Sequence, residues 1–367
     1  MNRAARHSMR VGICIGLAGA LSVLAMSGGS QTIQPSSGQM ISECDGAIRS
    51  IAIQYVSGAY FAVPIYRQFL SVLPTDVHVH VLCPDQKSLR ELQAELGETF
   101  SRLHPIVTGH AMTTWSRDRW IALESSDGPA TLVASHGEAG AEIWPQRLGD
   151  QQIAGDLARA LNDRAVRSGL FFDGGDLLAD SQSLFVAPGA IERNLQHTCR
   201  DRAELRRILQ DHFRRTPILL DDAPPHHAGM FMMAAGDGRI VVGDPSLARS
   251  LLEPIVLPGG PDFSAPTQRR FDSAAAAVRS AGYRVTRIAC VPSNDGKTYL
   301  TYVNGIIDQR GGIRTIYMPT YQGQSLLNAA ASAVWRSLGY RVVPIDVTSA
   351  FRYFGTLHCL VNVIEKN

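Results

Sequence analysis

Residues 314–345 read RTIYMPTYQGQSLLNAAASAVWRSLGYRVVPI, with β-type runs at 314–318 (RTIYM) and 341–345 (RVVPI) on either side of a helix-period stretch at 325–338. Strand, helix and strand in succession argue for an α/β fold. The same alternation extends outward. Further strand candidates lie at 51–56 (IAIQYV), 77–83 (VHVHVLC), 238–243 (GRIVVG) and 284–290 (RVTRIAC), and helix-period stretches at 87–97, 152–167, 201–213 and 272–281. The beat is uneven, and no G-x-G-x-x-G or Walker glycine loop follows the first strand, so a dinucleotide or nucleoside triphosphate site has no support. Gly259-Gly260 and Gly311-Gly312 read as turns. The expectation is one domain over 51–367.

Ahead of it, residues 1–10 carry Arg3, Arg6 and Arg10, residues 11–26 are apolar, and Ala25 and Ser27 put small residues before a cut at Gly28. This is a secretory signal pattern over 1–27. The apolar run is shorter than the roughly 20 residues of a spanning helix. An exported protein, periplasmic or secreted, is therefore expected, with no stable membrane anchor after cleavage. Residues 28–50, rich in Gly, Ser and Gln, read as a flexible spacer. The whole chain has 35 basic and 33 acidic residues, but the first 27 positions hold three arginines and no acid, which leaves 32 against 33. A nearly neutral body has no electrostatic footprint for nucleic acid. Five cysteines follow the leader, Cys44, Cys83, Cys199, Cys290 and Cys359, so at least one thiol is unpaired in an oxidising compartment. There is no C-x-x-C pair and no clustering of His with Cys at zinc-finger spacing, so a structural zinc site is not expected.

Four local strings carry chemistry. In Trp115-Ser116-Arg117-Asp118-Arg119-Trp120 a carboxylate bracketed by arginines and tryptophans suits the grip of a planar cation, or is a plain surface ion pair. In Asp173-Gly174-Gly175-Asp176 two glycines let the chain turn sharply with both acids near one mouth, or mark an ordinary Asp-Gly turn. His226-His227 follows a rigid Pro224-Pro225 and can act as acid and base near neutral pH. A metal has no third ligand at a sensible spacing there. Near the C-terminus, Gly355-Thr356-Leu357-His358-Cys359 offers a thiol beside a histidine, either a nucleophile or a buried inert cysteine.

Taken in order, these strings resemble the guanidine-modifying (pentein) superfamily, in particular agmatine deiminase and bacterial peptidylarginine deiminase. The family's W-x-R-D string matches Trp115, Arg117 and Asp118, and its acid-Gly-Gly string matches Asp173-Gly174-Gly175. Its G-H-x-D-M-F string falls on His226 to Phe231, its Y-x-T-Y-x-N-G region on Tyr299 to Gly305, and its terminal G-G-x-H-C string on Gly355, His358 and Cys359. The resemblance covers about residues 51 to 365. It implies a five-bladed α/β propeller of ββαβ units around a pseudo-fivefold axis, with the site at the centre. It also implies a catalytic set of Cys359, His227 and Asp118, and substrate contacts from Trp115, Arg117, Asp173, Asp176 and Asn304. The implied reaction is hydrolysis of a guanidino group through a cysteine thiouronium intermediate, on an arginine-, agmatine- or peptidylarginine-type substrate, and the resemblance implies neither a metal nor an organic cofactor. The partner expected is that small-molecule or peptidyl substrate, with a homo-oligomer left open. The sequence departs from the family at Gly229, where the H-x-D string has an aspartate, and at Trp120, which replaces a glycine or proline. The Gly229 departure keeps a second expectation open, a non-catalytic binding protein for a guanidino ligand.

Overall fold

The computed structural model describes residues 38–124, 130–136 and 145–367, so the leader 1–27 and the first part of the spacer lie outside the described residues. The segment around residues 314–345 folds as strand Ile313–Thr320, helix Ser325–Ser337 and strand Arg341–Asp346, and the two strands pair in parallel from Thr315 opposite Arg341 to Thr320 opposite Asp346. The helix faces them with Leu327, Ala331 and Trp335, a spacing of four that keeps all three on one face. The indole of buried Trp335 donates to the Tyr302 carbonyl at 2.9 Å, which satisfies its N–H inside the core. Strand Ile306–Arg310 pairs antiparallel on the other side of Ile313–Thr320.

This ladder, an antiparallel pair followed through a helix by a parallel strand, recurs along the chain. Met232–Ala234 and Arg239–Asp244 form a hairpin, and after helix Ala265–Ser280 strand Arg284–Ala289 pairs in parallel. Leu177–Ala179 and Ser183–Val186 do the same, with Thr216–Leu219 returning after helices Pro188–His197 and Arg202–Phe213. Trp120–Glu124 and Thr131–Ala134 pair antiparallel, and Arg164–Arg167 returns after helix Ile153–Leu161. The remaining unit joins the two ends of the described body: Val361–Lys366 lies antiparallel to Ile48–Gln54, which is followed by helix Val63–Val72 and the parallel strand His78–Cys83, with Leu103–Val107 beyond it. The result is a mixed α/β architecture of several small sheets, none closed on itself. Among the described residues no helix is long and apolar enough to cross a membrane.

Two sequence expectations are corrected. The helix-period stretch 152–167 ends at Leu161, because Asn162 takes a left-handed φ of 61° that stops the helix, and Arg164–Arg167 is a strand. Residues 38–50, read as spacer, belong to the fold. Gln39 and Met40 pair with Glu124 and Leu123, and Ser42, Glu43 and Cys44 are buried. The polar composition of 28–50 hides this, since Met40, Ile41 and Cys44 are few but all face inward.

Candidate active site

Four loops at the ends of strands meet at one cavity of about 530 Å³, lined by Trp115, Asp118, Arg147, Asp173, Asp176, His227 and Cys359, with Tyr353 and Phe354 at its rim. Each loop is held by a specific local device. In the first, the Ser116 hydroxyl donates to the Ala52 carbonyl at 2.9 Å and pins the chain just ahead of strand Trp120–Glu124. Arg117 points away from the cavity. Its guanidinium is buried between Glu43 at 2.6 Å, the Gly174 and Leu177 carbonyls and Asn362, so it clasps the loops together from behind. The chain then turns through Arg119, whose φ of 65° is unusual for a residue with a side chain, and this leaves Asp118 facing the cavity.

In the second loop Asp173 starts the tight turn Gly174–Asp176, and its backbone N–H donates to the Asp176 carboxylate at 2.9 Å. Both glycines are required by close approach. A Cβ at Gly174 would lie 2.2 Å from the Arg117 carbonyl oxygen, and one at Gly175 would lie 2.6 Å from Nδ1 of His227.

His227 caps the short turn Ala228–Phe231, with its Nε2 3.5 Å from Asp173 and 4.0 Å from Asp176. Its backbone N–H donates to Nδ1 of His226 at 2.7 Å, and Nε2 of His226 lies 2.9 Å from the Lys297 carbonyl. A carbonyl only accepts, so these two partners assign the proton of His226 to Nε2 and leave it neutral. Burial, with the charge of His227 beside it, pushes His226 down to about 3. For His227 burial acts the same way, but the Asp173 hydrogen bond, Cys359, Asp176 and Asp118 outweigh it and raise its pKa well above 6.5. Burial would raise Asp173 as well, yet His227, Arg147 and Arg119 hold it well below the usual carboxylate range, while burial raises its neighbour Asp176.

Cys359 lies in the turn Leu357–Leu360 that leads into the last strand. Its thiol lies 3.5 Å from the side-chain oxygen of Asn304, which also accepts from Thr356 at 2.6 Å, while the Asn304 amide donates to the Gly229 carbonyl at 2.9 Å. Asn304 thus joins the histidine loop to the cysteine turn, and is itself buried behind the cavity wall. His358, the sequence neighbour of Cys359, is buried on the other side, 3.2 Å from Glu43. All five cysteines of the body are free and buried. Burial pushes the Cys44 and Cys83 thiols up to about 12, and Cys359 is the one bordering the cavity. A side chain at Gly229 would first meet Asn304 at 3.3 Å and His358 at 3.4 Å.

Eight site residues are expected from the sequence. Of these, Trp115, Asp118, Asp173, Asp176, His227 and Cys359 line the cavity, and Arg117 and Asn304 support it from behind. Two further residues complete the site: Arg147, whose guanidinium reaches both Asp118 and Asp173, and Glu43, which anchors Arg117 and His358. No local pattern marks either one. The rim is aromatic: Phe61 stacks on Tyr353 at 4.4 Å and lies 5.6 Å from Trp115. Asp173, Asp176 and His227 lie close enough together to share a cation, but Arg119, Arg147 and Arg193 already neutralise those acids, and the set does not suit a metal ion.

No protein-family model matches the sequence, and no curated protein sequence does either. Solved structures do match. Agmatine deiminase of Enterococcus faecalis superposes with a TM-score of 0.69 at 12% identity, covering 90% of this chain and 96% of that one. The agmatine deiminase of C. jejuni gives 0.67 at 13% identity, with the same coverage. The chain has the agmatine deiminase fold. Within this pentein fold the recurring strand–strand–helix–strand units explain how residues 118, 173, 227 and 359 come to face one cavity, since each follows or precedes a strand of a different unit.

Proposed function

We propose that this protein is a guanidino-group hydrolase of the deiminase type with Cys359 as nucleophile. The observation that carries this reading is the convergence of Cys359, His227 and three carboxylates on one cavity of this fold. In the proposed reaction the Cys359 thiolate adds to the guanidinium carbon. His227, an imidazolium beside Asp173, gives its proton to the departing nitrogen, and the amine leaves with the C–N electron pair. A thiouronium joined to Cys359 remains. Neutral His227 then takes a proton from water, the hydroxide adds to the same carbon, and the C–S bond breaks to return the thiolate and release a ureido product, the hydroxyl proton passing to the amine already released. These steps use only the side chains named.

The aromatic rim of Trp115, Tyr353 and Phe354 suits the alkyl stem of an arginine-, agmatine- or peptidylarginine-type substrate. We read the five recurring units as blades around a pseudo-fivefold axis, and the leader over 1–27 as directing export to the periplasm or beyond. A second reading, a binding protein for a guanidino ligand without turnover, is favoured by Gly229 and by the ion pairs that already engage Asp118 and Asp173. An assay for ureido product over a panel of guanidines tests the choice. Wild-type turnover that falls by about three orders of magnitude or more in Cys359→Ser, with unchanged thermal unfolding, supports the hydrolase. Retained activity in that variant sinks the mechanism, and saturable binding without product supports the second reading.

A further inference from the structure

We propose that Arg147 is a resident guanidinium, occupying the carboxylates that a substrate guanidinium needs, so that substrate binds only by displacing it. The purpose of those carboxylates rests on the hydrolase reading above. Nη1 of Arg147 pairs with Oδ2 of Asp118, and Nη2 lies 2.9 Å from Oδ1 of Asp173. This is the planar, two-pronged geometry by which a guanidinium is recognised, and here the chain itself supplies the guanidinium. The two acids come from separate loops, so nothing in the local sequence of either one requires the bridge. Asp150 stands 3.7 Å from Nη1, but its oxygens already accept from the Thr113 backbone and hydroxyl, both at 2.8 Å. It holds Arg147 near the cavity without competing for the fork.

Occupancy of both acids makes displacement necessary. Asp118, Asp173 and Asp176 face Arg147, Arg193 at 2.6 Å from Asp176, Arg119 at 3.2 Å from Asp173, and the imidazolium of His227. Arg147 and a substrate guanidinium cannot hold the same two oxygens, Oδ2 of Asp118 and Oδ1 of Asp173, at once. If Arg147 swings out, one guanidinium replaces another and the balance is kept. Of the three arginines it is the one that both borders the cavity and bridges the two acids. Arg119 is 4% exposed at a left-handed turn, and Arg193 stands on helix Pro188–His197 against Asp176. Because the exchange conserves the ion pairs, it yields little net affinity. Binding has to come from the rest of the substrate, along Trp115, Tyr353 and Phe354. Arg147 is thus a specificity-determining residue that rejects bare guanidinium and selects an arginine-like ligand with an apolar or peptidyl body.

The test uses the full chain and follows alkylation of Cys359 by iodoacetamide, located by mass spectrometry, with guanidinium chloride as protectant at non-denaturing, low-millimolar concentration. Arg147→Gln empties the carboxylate pair and is expected to lower the concentration that half-protects Cys359 by about tenfold or more relative to wild type. Arg147→Lys keeps a charge that cannot bridge both acids, guards against a folding defect in the first variant, and is expected to fall between the two. Equal protection in all three proteins overturns the proposal, as does protection of none. Citrulline found at position 147 of the wild type also overturns it, since Arg147 would then be a substrate. Protection of Arg147→Gln with no ureido product from any guanidine upholds the proposal and removes the hydrolase reading. Turnover with the same KM in wild type and Arg147→Gln does the reverse.

Discussion

His227 is positioned as a proton donor by what surrounds it. Burial opposes its charge, yet Asp173 at 3.5 Å, Asp176 at 4.0 Å and the Asp118 and Cys359 side chains leave its pKa raised well above 6.5. The sign follows from that direction. The charged form is favoured in the folded state, so this pairing stabilises the fold fully below about pH 6.5 and is lost as pH rises through the raised value. A favoured imidazolium suits the first chemical step, which needs an acid for the leaving amine. The alkaline limb of kcat/KM should therefore follow His227. Asp173→Asn removes the closest charge favouring the imidazolium, and the limb is expected to move toward acid by about one pH unit or more. A rate profile on a variant with wild-type thermal unfolding measures this, and an unmoved limb would separate the limb from His227.

The turn Gly174–Asp176 shows how one short element carries much of the site. It places Asp173 and Asp176 side by side and presents a backbone without side chains to the His227 ring on one side and the Arg117 carbonyl on the other. Gly175→Ala would put a methyl group 2.6 Å from Nδ1 of His227, so the imidazole has to move by a substantial part of an ångström. Such a displacement is expected to lower kcat by about 10²-fold with a smaller effect on thermal stability. Steady-state kinetics beside a melting curve checks it. This turn was legible in the sequence because two glycines between two acids are a local mark with a physical meaning, and the thiol string at Cys359 and the Pro-Pro-His-His string were legible for similar reasons. Arg147 was not. An arginine on the six-residue helix Pro145–Asp150 carries no local sign that its partners will be Asp118 and Asp173. Short strands such as Leu177–Ala179 escaped as well, since three buried residues cannot display an alternation of two. The longer parallel strands, from His78–Cys83 to Arg341–Asp346, have enough branched residues to be read directly.

Across the whole molecule, Glu43 connects parts of the chain that no local pattern relates. Its carboxylate lies 2.6 Å from Arg117 and 3.2 Å from His358, and its backbone carbonyl accepts from Lys366 at 2.8 Å. One buried acid therefore ties the start of the folded body to the loop behind Asp118, to the turn bearing Cys359 and to the final strand. Burial would raise its pKa, but Arg117, His358 and Lys366 together lower it from 4.5 to about 2. The folded value is depressed, so the stabilisation is present above pH 4.5 and disappears as pH falls toward 2. A depression of this size corresponds to on the order of 3 kcal/mol. Glu43→Gln keeps the shape and removes the charge, leaving Arg117 buried without its anion. Urea unfolding at pH 7 should show the variant less stable by about that amount, and the difference should shrink steadily once the pH drops below 4.5. A gap that stays constant between pH 7 and pH 3 would mean that the Glu43 carboxylate is not what joins these segments.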